Sequence, residues 1–116
     1  MDFKQGDFEN ILMNAVWDME DSEFEKIDVS EVRDRINSEE QSWAYTTVKT
    51  VLDRLVKKET LERIKFNKKF FYRSKISRKE AGMTALEKLA EQYFKGEVRD
   101  LIKSAEKIYA GAFVYR

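Results

Sequence analysis

The sequence has 116 residues, neither cysteine nor histidine, and 22 basic side chains that balance 22 acidic ones. The length suits one compact domain with a short extension, and the missing residue types exclude disulfides, thiolate metal sites and catalysis by cysteine or histidine. The longest apolar run falls well short of the ~20 residues that cross a bilayer, and the polar, acidic N-terminus differs from a secretory signal. We therefore expect a cytoplasmic protein that carries no metal or cofactor, does not bind membranes and is not an enzyme.

Two helices are predicted in the first part of the chain. Apolar residues recur at helical spacing from about Asp7 to Met19, with Asp7 as the expected N-cap. An acidic loop is expected over residues 18–26, followed by a short extended piece over residues 27–29. Ser30 is the expected N-cap of a short second helix, which ends in a polar turn.

A third helix is predicted over about residues 44–58. Its apolar residues recur on one face, which we expect to be buried: Val48, Val51, Leu52, Leu55 and Val56. The opposite face is polar and carries Thr46, Lys49, Thr50, Asp53 and Lys57.

The composition becomes strand-like after Thr60, with aromatic and β-branched residues in two short runs. Asn67-Lys68-Lys69 separates the runs, which predicts a β-hairpin with Asn67 at a turn position of positive φ. Because side chains alternate along a strand, we expect the aromatic residues largely toward the core and the cations outward.

Two more helices are predicted after the hairpin. They are separated at Lys95-Gly96, and the second begins at about Glu97. The order of elements predicts a mainly α fold with a small β-hairpin. Residues 1–76 would form a winged helix-turn-helix domain, whose third helix enters the major groove, and residues 77–116 a helical dimerisation region.

The charge of the chain is divided unevenly along its length. Residues 1–48 hold 4 basic and 13 acidic side chains, residues 49–79 hold 12 and 3, and the remainder holds 6 of each. A basic block in a neutral chain is typical of a surface that binds a polyanion such as double-stranded DNA. The alternative is a solvated basic surface that pairs with the acidic N-terminal part.

The third helix and the hairpin contain the candidate DNA-binding residues. Short hydrogen-bonding side chains near the start of a helix can approach base edges, and here these are Tyr45, Thr46, Thr47, Lys49 and Thr50. Cations further along the helix and at the hairpin tip would contact phosphates: Arg54, Lys57, Lys58, Lys68 and Lys69. The alternatives are an ordinary solvated helix face and lysines that protect an edge strand from pairing.

The last two helices contain more apolar residues than one small domain needs to cover. This surplus predicts a homodimer interface, since symmetric dimers are the commonest oligomers. The residues that we expect there are Leu86, Leu89, Tyr93, Val98, Leu101 and Ile102. The alternative is that these helices fold back onto the winged domain of the same chain.

About residues 7–105 resemble the BlaI/MecI/CopY family of bacterial transcriptional repressors, and the resemblance is strongest over residues 42–74. The residues that carry the resemblance are Trp43, Thr47-Val48-Lys49-Thr50, Leu52, Arg54-Leu55-Val56-Lys57-Lys58 and Phe71-Tyr72-Arg73. The resemblance implies a homodimeric repressor in which each third helix occupies a half-site of a palindromic operator and the C-terminal helices intertwine.

Three departures from the family pattern concern capping and induction. Ala44 stands where the family often has a serine N-cap. Lys103-Ser104 occupies the place of the Asn-Phe bond that is cleaved in antibiotic-responsive members, and the cysteine cluster of copper-responsive members is missing. The resemblance therefore implies an inducing effector or sensor but does not identify it.

A second hypothesis is a winged-helix protein-interaction module that does not bind DNA. Acidic residues at the DNA-facing surface would favour it, and Asp53 is the only one on the outward face of the third helix.

Overall fold

The computed structural model describes residues 5–111, so the outer ends of both predicted domains, residues 1–4 and 112–116, lie outside the described residues. The predicted mainly α fold with one β-hairpin is confirmed. The elements in chain order are α1 (Gln5–Asp21), α2 (Val29–Ile36), α3 (Tyr45–Lys57), β1 (Leu61–Phe66), β2 (Lys69–Ser74), α4 (Arg78–Tyr93) and α5 (Val98–Tyr109). The chain divides into two compact units, one that ends at Arg78 and one that starts at Lys79.

The core of the first unit lies between its three helices and is closed by one residue from each strand, Leu61 of β1 and Tyr72 of β2. The predicted inward stripe of α3 is confirmed, because Val48, Val51, Leu52 and Leu55 are buried, and Val56 packs against them half-buried. Burying a residue such as Leu52 contributes about 1.5–3 kcal/mol, so this stripe fixes which face of α3 meets solvent.

The first two helices begin at different residues from those predicted. Helix α1 starts at Gln5, so Asp7 lies in its first turn and is not the N-cap. Its negative charge interacts favourably with the helix dipole there. Asp28, not Ser30, is the N-cap of α2, since Asp28 Oδ1 accepts a 2.9 Å hydrogen bond from the Glu31 N–H. The extended piece expected at residues 27–29 is not a strand, although Ile27 O accepts a 2.8 Å bond from the Tyr72 N–H.

Asn37 fixes the turn that leads into α3. Its Oδ1 accepts a 2.8 Å hydrogen bond from the Trp43 N–H, and its Nδ2 donates to Trp43 O over 3.3 Å. The Trp43 ring lies 4.2 Å from the Phe8 ring, centroid to centroid. The N-cap residue Ala44 makes no side-chain capping bond, so these contacts position the first turn of α3 in its place.

The hairpin closes through a two-residue turn, Asn67-Lys68, and not through the three residues expected, since Lys69 already pairs with Phe66. Both turn residues have positive φ, 48° at Asn67 and 66° at Lys68, which is the type I′ geometry that matches strand twist. The register then pairs Arg63 with Tyr72.

The hairpin formed by β1, β2 and their turn is the wing of the fold. The expectation that its aromatic residues face the core is wrong at its tip. Tyr72 is buried, but Phe66 is 53% and Phe70 38% exposed. The register places these two residues on opposite faces of the hairpin, and near the turn neither face is covered by a helix. Cations cover the rings instead: Lys26 Nζ lies 5.1 Å from the Phe66 centroid, and the Arg63 guanidinium lies 4.2 Å from that of Phe70.

The second unit consists of α4 and α5. The predicted break between them is confirmed, because Lys95 and Gly96 both have positive φ and the Gly96 N–H donates to Ala90 O over 2.9 Å. Glu97 is the N-cap of α5, one residue before the helix starts.

None of the helices in the described part of the chain combines the length and the apolar character that crossing a bilayer requires.

Candidate nucleic-acid interface

The start of α3 presents polar side chains to solvent. Tyr45, Thr46, Thr47 and Thr50 are exposed, and Lys49 is half-buried. The Thr50 hydroxyl donates to Thr46 O over 2.8 Å, which directs its proton back along the helix. The five predicted base-contacting residues thus belong to two turns of one outward face.

The first turn of α3 and the hairpin tip line a common cleft of about 240 Å³. Tyr45 and Lys49 of α3 and Lys68 and Lys69 of the hairpin line it, together with residues 28–30 at the start of α2. Residues 19 to 24 positions apart therefore meet at one surface, as a DNA-binding helix and its wing require.

The predicted phosphate contacts fall into two groups. Lys57, Lys68 and Lys69 are exposed, and within residues 5–111 no acidic side chain forms an ion pair with them. Lys58 differs, because its Nζ lies 2.9 Å from both carboxylate oxygens of Glu9 in α1.

Glu9 is only 8% exposed, and Arg54 Nη1 also approaches its Oε1 at 3.9 Å. A buried carboxylate needs such partners to offset its lost hydration. The structure therefore gives Lys58 a role inside the fold, as the link between the end of α3 and α1.

Asp53 joins α3 to both strands of the hairpin. Its Oδ2 lies 2.7 Å from Lys49 Nζ, four residues earlier on the same helix. Its Oδ1 accepts hydrogen bonds from Arg63 Nη1 at 3.2 Å and from the Tyr72 hydroxyl at 2.7 Å. The Asp53 carboxylate is thus held both by α3, which bears the predicted base-contacting residues, and by the wing.

The contacts that Asp53 makes with Lys49, Arg63 and Tyr72 shift the pKa values of Asp53 and Tyr72 in opposite directions. Burial acts to raise the pKa of Asp53, but hydrogen bonds from Lys49 and Tyr72 and the charges of Lys49 and Arg63 outweigh it, so the pKa lies below its usual value. Burial, followed by the hydrogen bond to the Asp53 carboxylate, raises the pKa of Tyr72 far above its usual value. Asp53 is therefore ionised and Tyr72 neutral at neutral pH.

Sequence reasoning missed Arg63 and Tyr72 as partners of Asp53. The spacing of Lys49 and Asp53 by four residues on a helix is a local signal for their ion pair. Arg63 and Tyr72 have no such signal, because only the hairpin register places them beside one another and facing α3.

The six residues expected at a dimer interface all belong to α4 and α5. Five of them are exposed: Leu86, Leu89, Tyr93, Val98 and Ile102. Leu101 differs, because only 8% of it is exposed in the single chain. An apolar surface of this kind on a helix pair is typical of an interaction site.

The family model of the penicillinase repressor matches residues 5–107, which is nearly the whole chain and includes α1 to α4 and most of α5. The resemblance expected over about residues 7–105 is thereby confirmed. The family is one of transcriptional repressors and not of enzymes. A comparison with curated proteins found no match.

Proposed function

Because this chain belongs to the penicillinase repressor family and is a transcriptional repressor, we propose that it binds double-stranded DNA in the cytoplasm, as a homodimer on a palindromic operator. The observation that carries the proposal is the common cleft, which Tyr45 and Lys49 of α3 line together with Lys68 and Lys69 of the wing. An unknown effector or sensor would release the repressor.

Helix α3 would contact base edges in the major groove. Thr46 and Thr47 are short and exposed, so the backbone can approach the bases, and a threonine methyl can touch the thymine methyl. Lys49 can donate to guanine, whose O6 and N7 are the acceptors that lysine and arginine contact most often. Sequence preference would therefore come from the first two turns of α3.

The wing would contact the sugar-phosphate backbone. Lys68 and Lys69 extend from the hairpin tip beside the helix, and each phosphate that they neutralise releases counterions. Lys57 lies further along α3, where a helix leaves the groove. These contacts position the protein on DNA without selecting a sequence.

The homodimer would form through the exposed apolar residues of α4 and α5. A twofold dimer presents two α3 helices to half-sites that are about one helical turn apart, or a multiple of it. The exposed side chains of Leu89 and Tyr93 are the kind that such a contact buries.

The hypothesis of an interaction module without DNA binding depended on an acidic side chain at this face. Asp28, which also lines the cleft, is the N-cap of α2, where its Oδ1 accepts a hydrogen bond from the Glu31 N–H. Asp53 is the acidic side chain on α3, but its carboxylate is engaged by Lys49 and Arg63, whose charges exceed its own. It therefore gives the second hypothesis no specific support.

The proposal is tested by selecting duplexes from a pool of random sequence with the full chain at low salt. We expect enrichment of an inverted repeat, and we expect Lys68→Ala to weaken binding to all duplexes about equally. Lys88→Ala, which changes an exposed lysine of α4, is the matched control. Recovery of no duplex at low salt would refute DNA binding, and enrichment of a single half-site would refute the dimer.

A further inference from the structure

Lys49 is the only cation among the five proposed base-contacting residues, and in the structure its ammonium is held by an acid. Lys49 Nζ donates to Asp53 Oδ2 over 2.7 Å, and the other oxygen of Asp53 is held by Arg63 and Tyr72. An isolated lysine side chain has about 2 kcal/mol of rotamer entropy to lose. The position of the Lys49 ammonium is set by the Asp53 carboxylate, which is itself bound to the wing.

The pairing changes what Lys49 offers to DNA. An ammonium has three donors, and the bond to Asp53 uses one of them, so two N–H groups remain for an acceptor. At the same time the adjacent carboxylate compensates the lysine charge, which weakens its attraction to phosphates of any sequence. Lys49 therefore offers hydrogen bonds in a fixed direction and attracts phosphates less strongly than an unpaired lysine would.

Asp53 also has a direct electrostatic effect at the interface. It is half-buried on the face that would meet DNA, and a carboxylate there repels phosphates. This repulsion acts on every sequence alike. A guanine edge that accepts from Lys49 recovers part of the loss, and other base edges do not.

We propose that Asp53 is a specificity-determining positioning residue, which holds the Lys49 ammonium for a guanine edge and lowers the affinity for DNA that lacks this guanine. The inference rests on the proposed DNA-binding function and deepens it. Arg63 and Tyr72 fix the carboxylate in place and so connect the position of the wing to the base contact.

The test compares the wild type with Asp53→Asn, which has nearly the same shape without the charge. Two duplexes are used: one selected by the wild type from a random pool, and one of the same composition in scrambled order. We expect Asp53→Asn to bind the scrambled duplex more tightly and to lose about tenfold in the ratio of the two affinities, which is within the range of one directed base contact. Selection with the variant should also lose one guanine position.

Lys49→Ala completes a double-mutant cycle. If Asp53 acts through Lys49, the two substitutions are not additive, and Asp53→Asn changes the ratio no further once Lys49 is replaced. Tyr72→Phe removes one of the bonds that fix the Asp53 carboxylate and keeps the Lys49 pair, so it should lower the ratio less than Asp53→Asn does.

Two results would overturn the inference while the proposed function stands. One is an equal loss of affinity for both duplexes in Asp53→Asn, which is what a merely structural role predicts. The other is an unchanged ratio in Lys49→Ala, which decides the question even if Asp53→Asn does not fold. Failure of the wild type to bind either duplex would instead refute DNA binding itself.

Discussion

The Tyr72 hydroxyl donates a 2.7 Å hydrogen bond to the carboxylate of Asp53 and thereby joins strand β2 to helix α3. Tyr72 is buried, and its partner is charged, so this bond lies among the stronger ones. It fixes the wing against the helix that would enter the major groove.

Tyr72→Phe should lower the free energy of unfolding by about 1.5–3 kcal/mol, because a hydrogen bond to a charged acceptor is removed. Urea denaturation followed by fluorescence measures the change. Tyr45→Phe is the matched control, since Tyr45 is 42% exposed and loses only a solvated hydroxyl. Equal stability of the two variants would show that the Tyr72–Asp53 bond contributes nothing to the fold.

The contribution of Asp53 to stability should depend on pH. Its pKa is lower in the folded state than the ordinary value of 3.8, so its stabilising effect is complete above that value and is lost as the pH falls through the folded pKa. The difference in unfolding free energy between wild type and Asp53→Asn should therefore be constant near neutral pH and shrink below about pH 4. Denaturation series at several pH values test this, and a difference that persists unchanged into acid would contradict it.

Two neighbouring lysines at the end of α3, Lys57 and Lys58, should behave differently when they are replaced. Lys58→Ala removes a close partner of the buried Glu9 and should cost up to about 1 kcal/mol of stability, the usual upper value for a partly exposed ion pair. Lys57→Ala should leave stability unchanged and weaken binding to DNA of any sequence. Thermal unfolding and DNA titration of both variants distinguish the roles, and a larger loss of stability in Lys57→Ala would reverse the assignment.

Lys68 occupies a backbone conformation that suits glycine, with φ of 66° in the type I′ turn. Lys68→Gly should stabilise the protein by roughly 0.5–1 kcal/mol through relief of this strain, and yet weaken DNA binding through loss of the charge. Lys68→Ala separates the effects, because it loses the charge and keeps the strain. A Lys68→Gly variant that is no more stable than Lys68→Ala would contradict the assignment of the turn.

The proposed dimer should depend on the apolar face of α5. Ile102→Glu places a charge on an exposed apolar position and should convert the protein to a monomer, as measured by analytical ultracentrifugation. Lys103→Glu, at the next and also exposed residue, is the matched control and should remain a dimer. A dimer of undiminished affinity in Ile102→Glu would place the interface elsewhere.

Features that depend on local patterns were predicted from the sequence. The buried stripe from Val48 to Leu55 follows from helical periodicity, and the positive φ of Asn67 follows from the conformational preference of asparagine in turns. The strongest part of the family resemblance, residues 42–74, includes both of these features. The base-contacting and dimer residues stay predictions.

Features that depend on contacts between distant residues were not predicted. Lys58 and Glu9 are 49 positions apart, and nothing in either segment indicates that they meet. Asp28 and Ser30 are both good N-cap residues, so only the backbone geometry decides between them. The exposure of Phe66 reflects the lack of a covering helix at the hairpin tip, which strand alternation cannot reveal.

If α3 and the wing form one DNA-binding surface, the affinity for DNA must depend strongly on salt and on the lysines of the wing. Fluorescence anisotropy of a selected duplex would be measured over a salt series for the wild type and for the double variant Lys68→Ala/Lys69→Ala. We predict a steep linear fall of log affinity with log salt for the wild type. The variant should have a slope that is shallower by about 0.9 for each phosphate that its two subunits no longer neutralise. Absence of binding at low salt, or the same slope in both proteins, would show that α3 and the wing do not form one DNA-binding surface.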